Sequence, residues 1–445
     1  MKETKTFYKK ALGIAVPVTL QSLLQSSFSV VDQIMTGQLG STNIAGIGLA
    51  GKFASIFSVL VSAIATAAGI MIAQYIGKKD EERTSRSFVG NLFVGILLAL
   101  LFLGLCLLIP AQIMGIYTSD GEVRMTAEGY LRIVSFSFLP MAGSVMLSTL
   151  LRCMEAASFP LYAGMAAALV NTLLNYLLIF GKFDFPKMGA NGAALATVIS
   201  QIIGFLILYF FYRYRYRKQM ARSSFTFGQM KAEIRQYLKI LLPILACEFL
   251  WSLGENVYAV IYGHIGTTAC AAMTLTAPIQ MLFIGALSGL SQAAGILIGK
   301  TLGKGVYEEA YQDSKKLMKA GVVGSLILSV ILILTSGLYV RIFPVADDVR
   351  AITRQILFAF ALVAPLKVEN MILGGGIIRS GGKTEYVMWI DMIGTWLFGV
   401  PLGFLTAFVL HLDIPFVYFI LSLEEGVRLL ISLFIFRKRK WMERL

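Results

Sequence analysis

Residues 11–40 read ALGIAVPVTLQSLLQSSFSVVDQIMTGQLG, and 226 positions later residues 237–266 read YLKILLPILACEFLWSLGENVYAVIYGHIG. Without a gap, this shift lays Pro17 on Pro243, Gly37 and Gly40 on Gly263 and Gly266, Thr42 on Thr268, and Ala45 on Ala271. The same register lays Ala67-Ala68-Gly69-Ile70 on Ala293-Ala294-Gly295-Ile296 and Gly77-Lys78 on Gly303-Lys304. So many matches in one register mark an internal duplication. Each copy opens with an apolar run of the length a membrane crossing needs, about 20 residues.

The remainder of the chain agrees with that reading. Of 445 residues, 57% are hydrophobic and only 14% charged, and the mean hydropathy is +0.74, which excludes an ordinary soluble globule. Apolar stretches fall at 11–36, 46–76, 88–112, 126–151, 159–181 and 190–213, and then at 240–263, 273–299, 316–340, 351–377, 385–408 and 412–436. Each copy thus holds six, an even number, so both insert in the same orientation. The expected fold is an all-α integral membrane protein of twelve transmembrane helices in two six-helix lobes related by a parallel repeat, with the ligand path between them. An N-terminal lobe over 1–212, a basic linker over 213–239 and a C-terminal lobe over 240–445 follow.

The net charge of +14 would suggest a nucleic-acid partner in a soluble chain. In a membrane protein the placement of the charges matters more. Lys2 to Lys10, Lys78 to Arg86, Arg152, the linker, Lys300 to Lys319, Arg379 with Lys383, and the tail from Arg437 hold most of the 39 basic residues. All fall on one side of a twelve-span topology, which places both termini in the cytoplasm of a multi-pass plasma-membrane protein. Membrane lipids and small molecules are the expected partners, nucleic acid is not, and a monomer is expected. Four cysteines form no CxxC pair, and two histidines exclude an HExxH zinc site. The first apolar run is too long for a cleavable signal peptide.

Three motifs mislead. Gly46-Ile-Gly48-Leu-Ala-Gly51 matches GxGxxG but follows no strand, and small-residue helix packing explains it. Gly299-Lys300-Thr301 and Gly382-Lys383-Thr384 end like a Walker A loop, yet Ala294 and Ile377 stand where its first glycine belongs. The aromatic and arginine run from Tyr209 fits a membrane-interface belt. With no nucleotide site, uphill transport has to draw on an ion gradient or a separate subunit.

Charged groups inside spans are expensive and mark function by default. Asp32 lies roughly 8 Å below the outer end of the first span, Asn175 roughly 9 Å and Thr197 roughly 12 Å below the outer ends of theirs, and Asn171 is one turn from Asn175. This set suits a proton site, or an oxygen-lined site for a hard cation such as Na⁺ held by Asp32 and Asn175; buried packing polarity is the structural alternative. In the second copy Glu248, Glu255 and Asp391 are the candidate acids, and a site shared by Glu248 and Asp391 requires spans 7 and 11 to face each other. Glu425 and Arg428, three apart, read as an ion pair. Pro17 and Pro243 each remove a helix hydrogen bond and permit a hinge.

These patterns give the chain a family likeness. The span 1 pattern from Pro17 through Gln21 and Asp32 to Gly37 and Gly40, the run Asn171-Thr-Leu-Leu-Asn175, the run Gly189-Ala-Asn-Gly192-Ala193 leading to Thr197, and the recurrence at Pro243 to Gly266 together resemble the multidrug and toxic compound extrusion (MATE) family. The resemblance implies an antiporter, not an enzyme, without cofactors, exporting organic cations or amphipathic compounds in exchange for H⁺ or Na⁺. It implies a coupling carboxylate at Asp32 with Asn171, Asn175 and Thr197 around it. Some relatives carry an aspartate where Asn175 stands, so either ion is open. A lipid-linked oligosaccharide flippase of the wider superfamily is the alternative, and an intramembrane enzyme is a third, distant one.

Overall fold

A computed structural model describes residues 2–216, 227–341 and 346–445. Among these the chain is helical, without strands, in the order α1 (Lys2–Gly37), α2 (Ser41–Lys78), α3 (Glu81–Leu108), α4 (Pro110–Tyr117), α5 (Gly121–Val134), α6 (Phe138–Cys153), α7 (Ser158–Phe180) and α8 (Gly189–Phe211). Then follow α9 (Phe227–Ile265), α10 (Thr267–Gly303), α11 (Tyr307–Arg341), α12 (Asp347–Asn370), α13 (Thr384–Met392), α14 (Val400–Phe404), α15 (Ile414–Leu421) and α16 (Glu424–Arg437). Widened π-type turns over Met371–Ile378, Ile393–Gly399 and Leu405–Val409 carry α12, α13 and α14 onward.

Eleven helical stretches among the described residues are long and apolar enough to cross a membrane. The twelfth expected segment, 412–436, is present as α15 and α16, joined by a turn at Ser422–Leu423. The break has a sequence cause. Glu424 and Glu425 occupy the first turn of α16, where the helix dipole favours carboxylates, so the chain restarts a helix there. Likewise α3 stops at Leu108 and α4 begins on Pro110, which lacks the N–H needed to continue the earlier ladder. The last part of the expected linker is helical, as the start of α9; its Arg217, Lys218 and Arg222 lie outside the described residues.

The chain forms two compact units. One, the N-terminal unit, comprises Leu20–Ile72 and Lys79–Thr226; the other, the C-terminal unit, comprises Met1–Thr19, Ala73–Lys78 and Phe227–Leu445. Helix α1 is continuous through Pro17 and passes from one unit to the other between Thr19 and Leu20, just past the proline that leaves one carbonyl of the helix without its N–H partner.

In the N-terminal unit α3 shows how an all-apolar helix still has two faces. Phe88, Asn91, Gly95, Ala99, Phe102 and Cys106 are buried at helical spacing, whereas Val89, Phe93, Leu97, Leu101 and Leu108 are exposed. Large apolar groups exposed in a stripe suit lipid as the outer solvent. The buried face meets Phe57 and Phe138, whose ring centroids are 4.5 Å apart, and Phe102 lies 5.5 Å from Phe57.

In the C-terminal unit the end of α2 packs on the end of α10 through glycine. A Cβ on Gly77 would overlap the Lys300 carbonyl, and one on Gly303 would overlap the Gln74 carbonyl. Small residues let the helix backbones approach this closely.

Candidate functional site

The N-terminal unit encloses a cavity of about 610 Å³. Helix α1 presents Gln21, Gln25, Phe28, Ser29 and Asp32 to it, spaced so that they share one face. More than half of the lining residues carry a hydroxyl, amide or charged group. Of the lining groups, Asp32 is the one carboxylate, and among the described residues it forms no ion pair.

The structure joins three of the four polar residues expected to act together. Asn175 Nδ2 donates to Asp32 Oδ1 at 2.5 Å and to Asn171 Oδ1 at 3.2 Å, using both of its hydrogens. Asn175 is fully buried, and its own Oδ1 has no partner. Thr197 lines the same cavity. Its hydroxyl donates to the Ala193 carbonyl at 3.0 Å, and Tyr130 interacts with both Thr197 and Asp32. Tyr130 is absent from the sequence reading because a tyrosine in an amphipathic stretch carries no signal of its own.

The oxygens on this part of the cavity belong to a single acid, Asp32, with the Asn171 amide and the Thr197 hydroxyl, while Asn175 turns its Nδ2 rather than its Oδ1 to Asp32. Hard cations take such ligands. No group of three or more His, Cys, Asp or Glu with metal-binding geometry occurs among the described residues. A site of one negative charge is neutralised by one proton or one monovalent cation.

The second-copy acids lie in a different electrostatic setting. Helices α9 and α13 do face each other: the Cys247 thiol donates to Asp391 Oδ2 at 2.8 Å. Arg379 stands 3.8 Å from Glu248 and donates to Cys247 Sγ at 3.2 Å. Asp391 in turn is 3.7 Å from Arg428. Glu248 and Asp391 therefore belong to one cluster, but each carries an arginine. Glu255 stands apart, exposed and without an ion pair among the described residues, within electrostatic reach of Lys367. Pro243 lies inside the continuous α9.

The ion pair expected between Glu425 and Arg428 is present at 3.8 Å, inside a larger network. Arg428 also reaches Glu424 at 3.4 Å and donates to Thr395. Lys367 is 3.9 Å from Glu425, and Asn370 donates to Glu425 Oε2 at 2.8 Å. Tyr258 donates to Glu424. Buried ions this thoroughly paired are structural commitments, since removing one partner strands another. Glu369 is the exception, buried with Oε1 unpartnered.

Arg152 and Arg379 are expected in the cytoplasmic segments, which leaves open where their side chains turn. Arg152 lines the cavity and donates to Gln21 Oε1 at 2.8 Å, and Arg379 is enclosed by Cys247 and Glu248. Their positions match through the repeat: Gln21 lies four residues after Pro17, and Cys247 four after Pro243. The motifs Leu151-Arg152 and Ile378-Arg379 at the ends of two apolar spans were the available signal, hidden because their spacing is one residue longer than the rest of the repeat.

A duplicated, polytopic helical protein with a polar cavity inside one unit is a membrane transporter by class. The sequence profile described as MatE matches residues 17–177 and, a second time, residues 243–405, beginning at the two repeat prolines; the chain belongs to this family of multidrug transporters. It is 22% identical to the uncharacterized transporter YisQ of Bacillus subtilis, over 99% of this chain and 96% of that one. It is 23% identical to the probable multidrug resistance protein NorM of Thermotoga maritima, over 100% and 95% of the respective chains. Its fold matches a solved structure of a mutant of the Vibrio cholerae MATE transporter VcmN with a TM-score of 0.90 at 17% identity, over 99% and 100%.

Proposed function

We propose that the protein is a secondary active antiporter that exports organic cations or amphipathic compounds in exchange for H⁺ or Na⁺ by alternating access. The observation that carries this reading is Asp32: a cavity-lining carboxylate, hydrogen bonded to Asn175, with no cationic partner among the described residues. An acid already paired with arginine cannot take up and release a coupling ion without losing that partner; an acid held only by amides can.

In this cycle Asp32 binds the coupling ion while the cavity is open outward. Neutralisation changes its bond with Asn175 and weakens the hold on the exported compound. Inward opening then releases the ion and admits the next compound. If a step carries net charge, about 2.3 kcal/mol per charge per 100 mV is available to drive it. The test is Asp32→Asn in everted vesicles, with ethidium efflux measured under a proton gradient and a sodium gradient imposed separately. Loss of efflux under the effective gradient, at wild-type protein levels, is expected. Undiminished efflux overturns the assignment.

A further inference from the structure

We infer that the cavity of the N-terminal unit recognises an oxyanion, and that Arg152 is its seat. The arginines at the ends of the two matching spans make the same contact in the two copies, four residues past the repeat proline, but their charges are treated differently. Arg379 has Glu248 at 3.8 Å and Cys247 at 3.2 Å. Arg152 has Gln21 at 2.8 Å, an uncharged amide. No ion pair satisfies Arg152 among the described residues; its Nε, like that of Arg379, is buried without a hydrogen-bond partner, so the missing counter-ion is what sets Arg152 apart. A half-buried guanidinium on a cavity wall with no counter-ion is an incomplete site.

A second observation points into the same space. Ser144, Ser148 and Arg152 are spaced by four on α6 and line one stripe of the cavity, and the Ser144 hydroxyl is also buried without a partner. Facing them, Gln21 and Gln25 of α1 supply amides. The stripe thus offers charged and neutral donors to a carboxylate or phosphate, whose geometry the planar guanidinium fork fits. Asp32 lies eleven residues from Gln21 along α1, roughly 16 Å, so the anion and the coupling site do not compete for the same point.

The inference rests on the reading that this cavity holds the exported compound, and it sets aside organic cations in favour of amphipathic compounds that carry a carboxylate or phosphate. It is tested by binding rather than transport, so its failure is separate from a failure of Asp32 coupling. Carboxyfluorescein, a polar anionic probe, is titrated by anisotropy into the purified full-length protein in phosphatidylcholine nanodiscs. Wild type is expected to bind it, Asp32→Asn to bind it still, and Arg152→Lys to stay within about threefold. Gln21→Glu supplies the internal counter-ion that the other copy already has, and is expected to keep its melting temperature while losing at least tenfold in affinity, as does Arg152→Gln. Absence of binding by the wild type, or wild-type affinity in Gln21→Glu or in Arg152→Gln, overturns the inference. So does loss of probe binding when phosphatidylglycerol replaces phosphatidylcholine, which assigns the seat to a lipid headgroup.

Discussion

Gly77 and Gly303 stand in reciprocal contact: each would press a Cβ into the helix that carries the other, Gly77 into the Lys300 carbonyl and Gly303 into the Gln74 carbonyl. Lys300 is also the repeat counterpart of Gln74, so equivalent positions of the two copies supply both sides of the contact. Gly77→Val and Gly303→Val are expected to act alike, each costing about 1–3 kcal/mol through overpacking. Thermal unfolding in detergent checks this; a large asymmetry between the two would show that the contact is not reciprocal in solution.

Asn175 spends both hydrogens of one nitrogen on Asp32 and Asn171. Asn175→Ala removes the hydrogen bond to the Asp32 carboxylate, worth about 1.5–3 kcal/mol for a charged acceptor. Because the ionised carboxylate loses a donor, the apparent affinity for a coupling proton should rise by about tenfold or more, read from the pH dependence of dye efflux in proteoliposomes. Thr197→Val, which removes a lone pair rather than a donor to Asp32, should shift it less.

Arg428 serves Asp391, Glu424 and Glu425 together. Arg428→Met leaves buried carboxylates uncompensated and is expected to destabilise the protein by about 3–5 kcal/mol. Glu255→Gln, at an exposed acid, should stay within about 0.5 kcal/mol. Comparing chemical unfolding of the two variants separates a structural network from an isolated charge.

Phe57 is fully buried between Phe102 and Phe138. Phe57→Ala is expected to cost about 3–5 kcal/mol, mostly as a cavity. Phe93→Ala, on the exposed face of the adjoining helix, should cost little, and melting temperatures of the pair decide.

The repeat, the helical membrane fold and the family were legible because they depend on hydropathy and register, both written along the chain. The pairing of Asn175 with Asp32 was legible in part, since helical rise placed both at similar depth. The states of Glu248 and Asp391 were not: whether an acid is free or paired depends on arginines from other helices, and Arg379 and Arg428 come from distant segments. The inward turn of Arg152 was hidden for the converse reason. A basic residue at a helix end reads as interfacial, and only packing shows that its side chain turns inward. The turn between α15 and α16 escaped hydropathy because Ser422 and Leu423 break a helix without breaking an apolar run.

The widened turns over Met371–Ile378 lead directly into Arg379. From Gly77 to Arg152 the chain counts one residue fewer than from Gly303 to Arg379, yet both arginines arrive beside the residue four past their proline. A π-type turn takes up more residues per turn than an α turn. The second copy can therefore hold an added residue within the helix and still deliver its arginine to the inherited address. Divergence between the halves is thus recorded in the winding of one helix as well as in the side chains, and deleting a residue from Met371–Ile378 is the change that would bring the copies back into step.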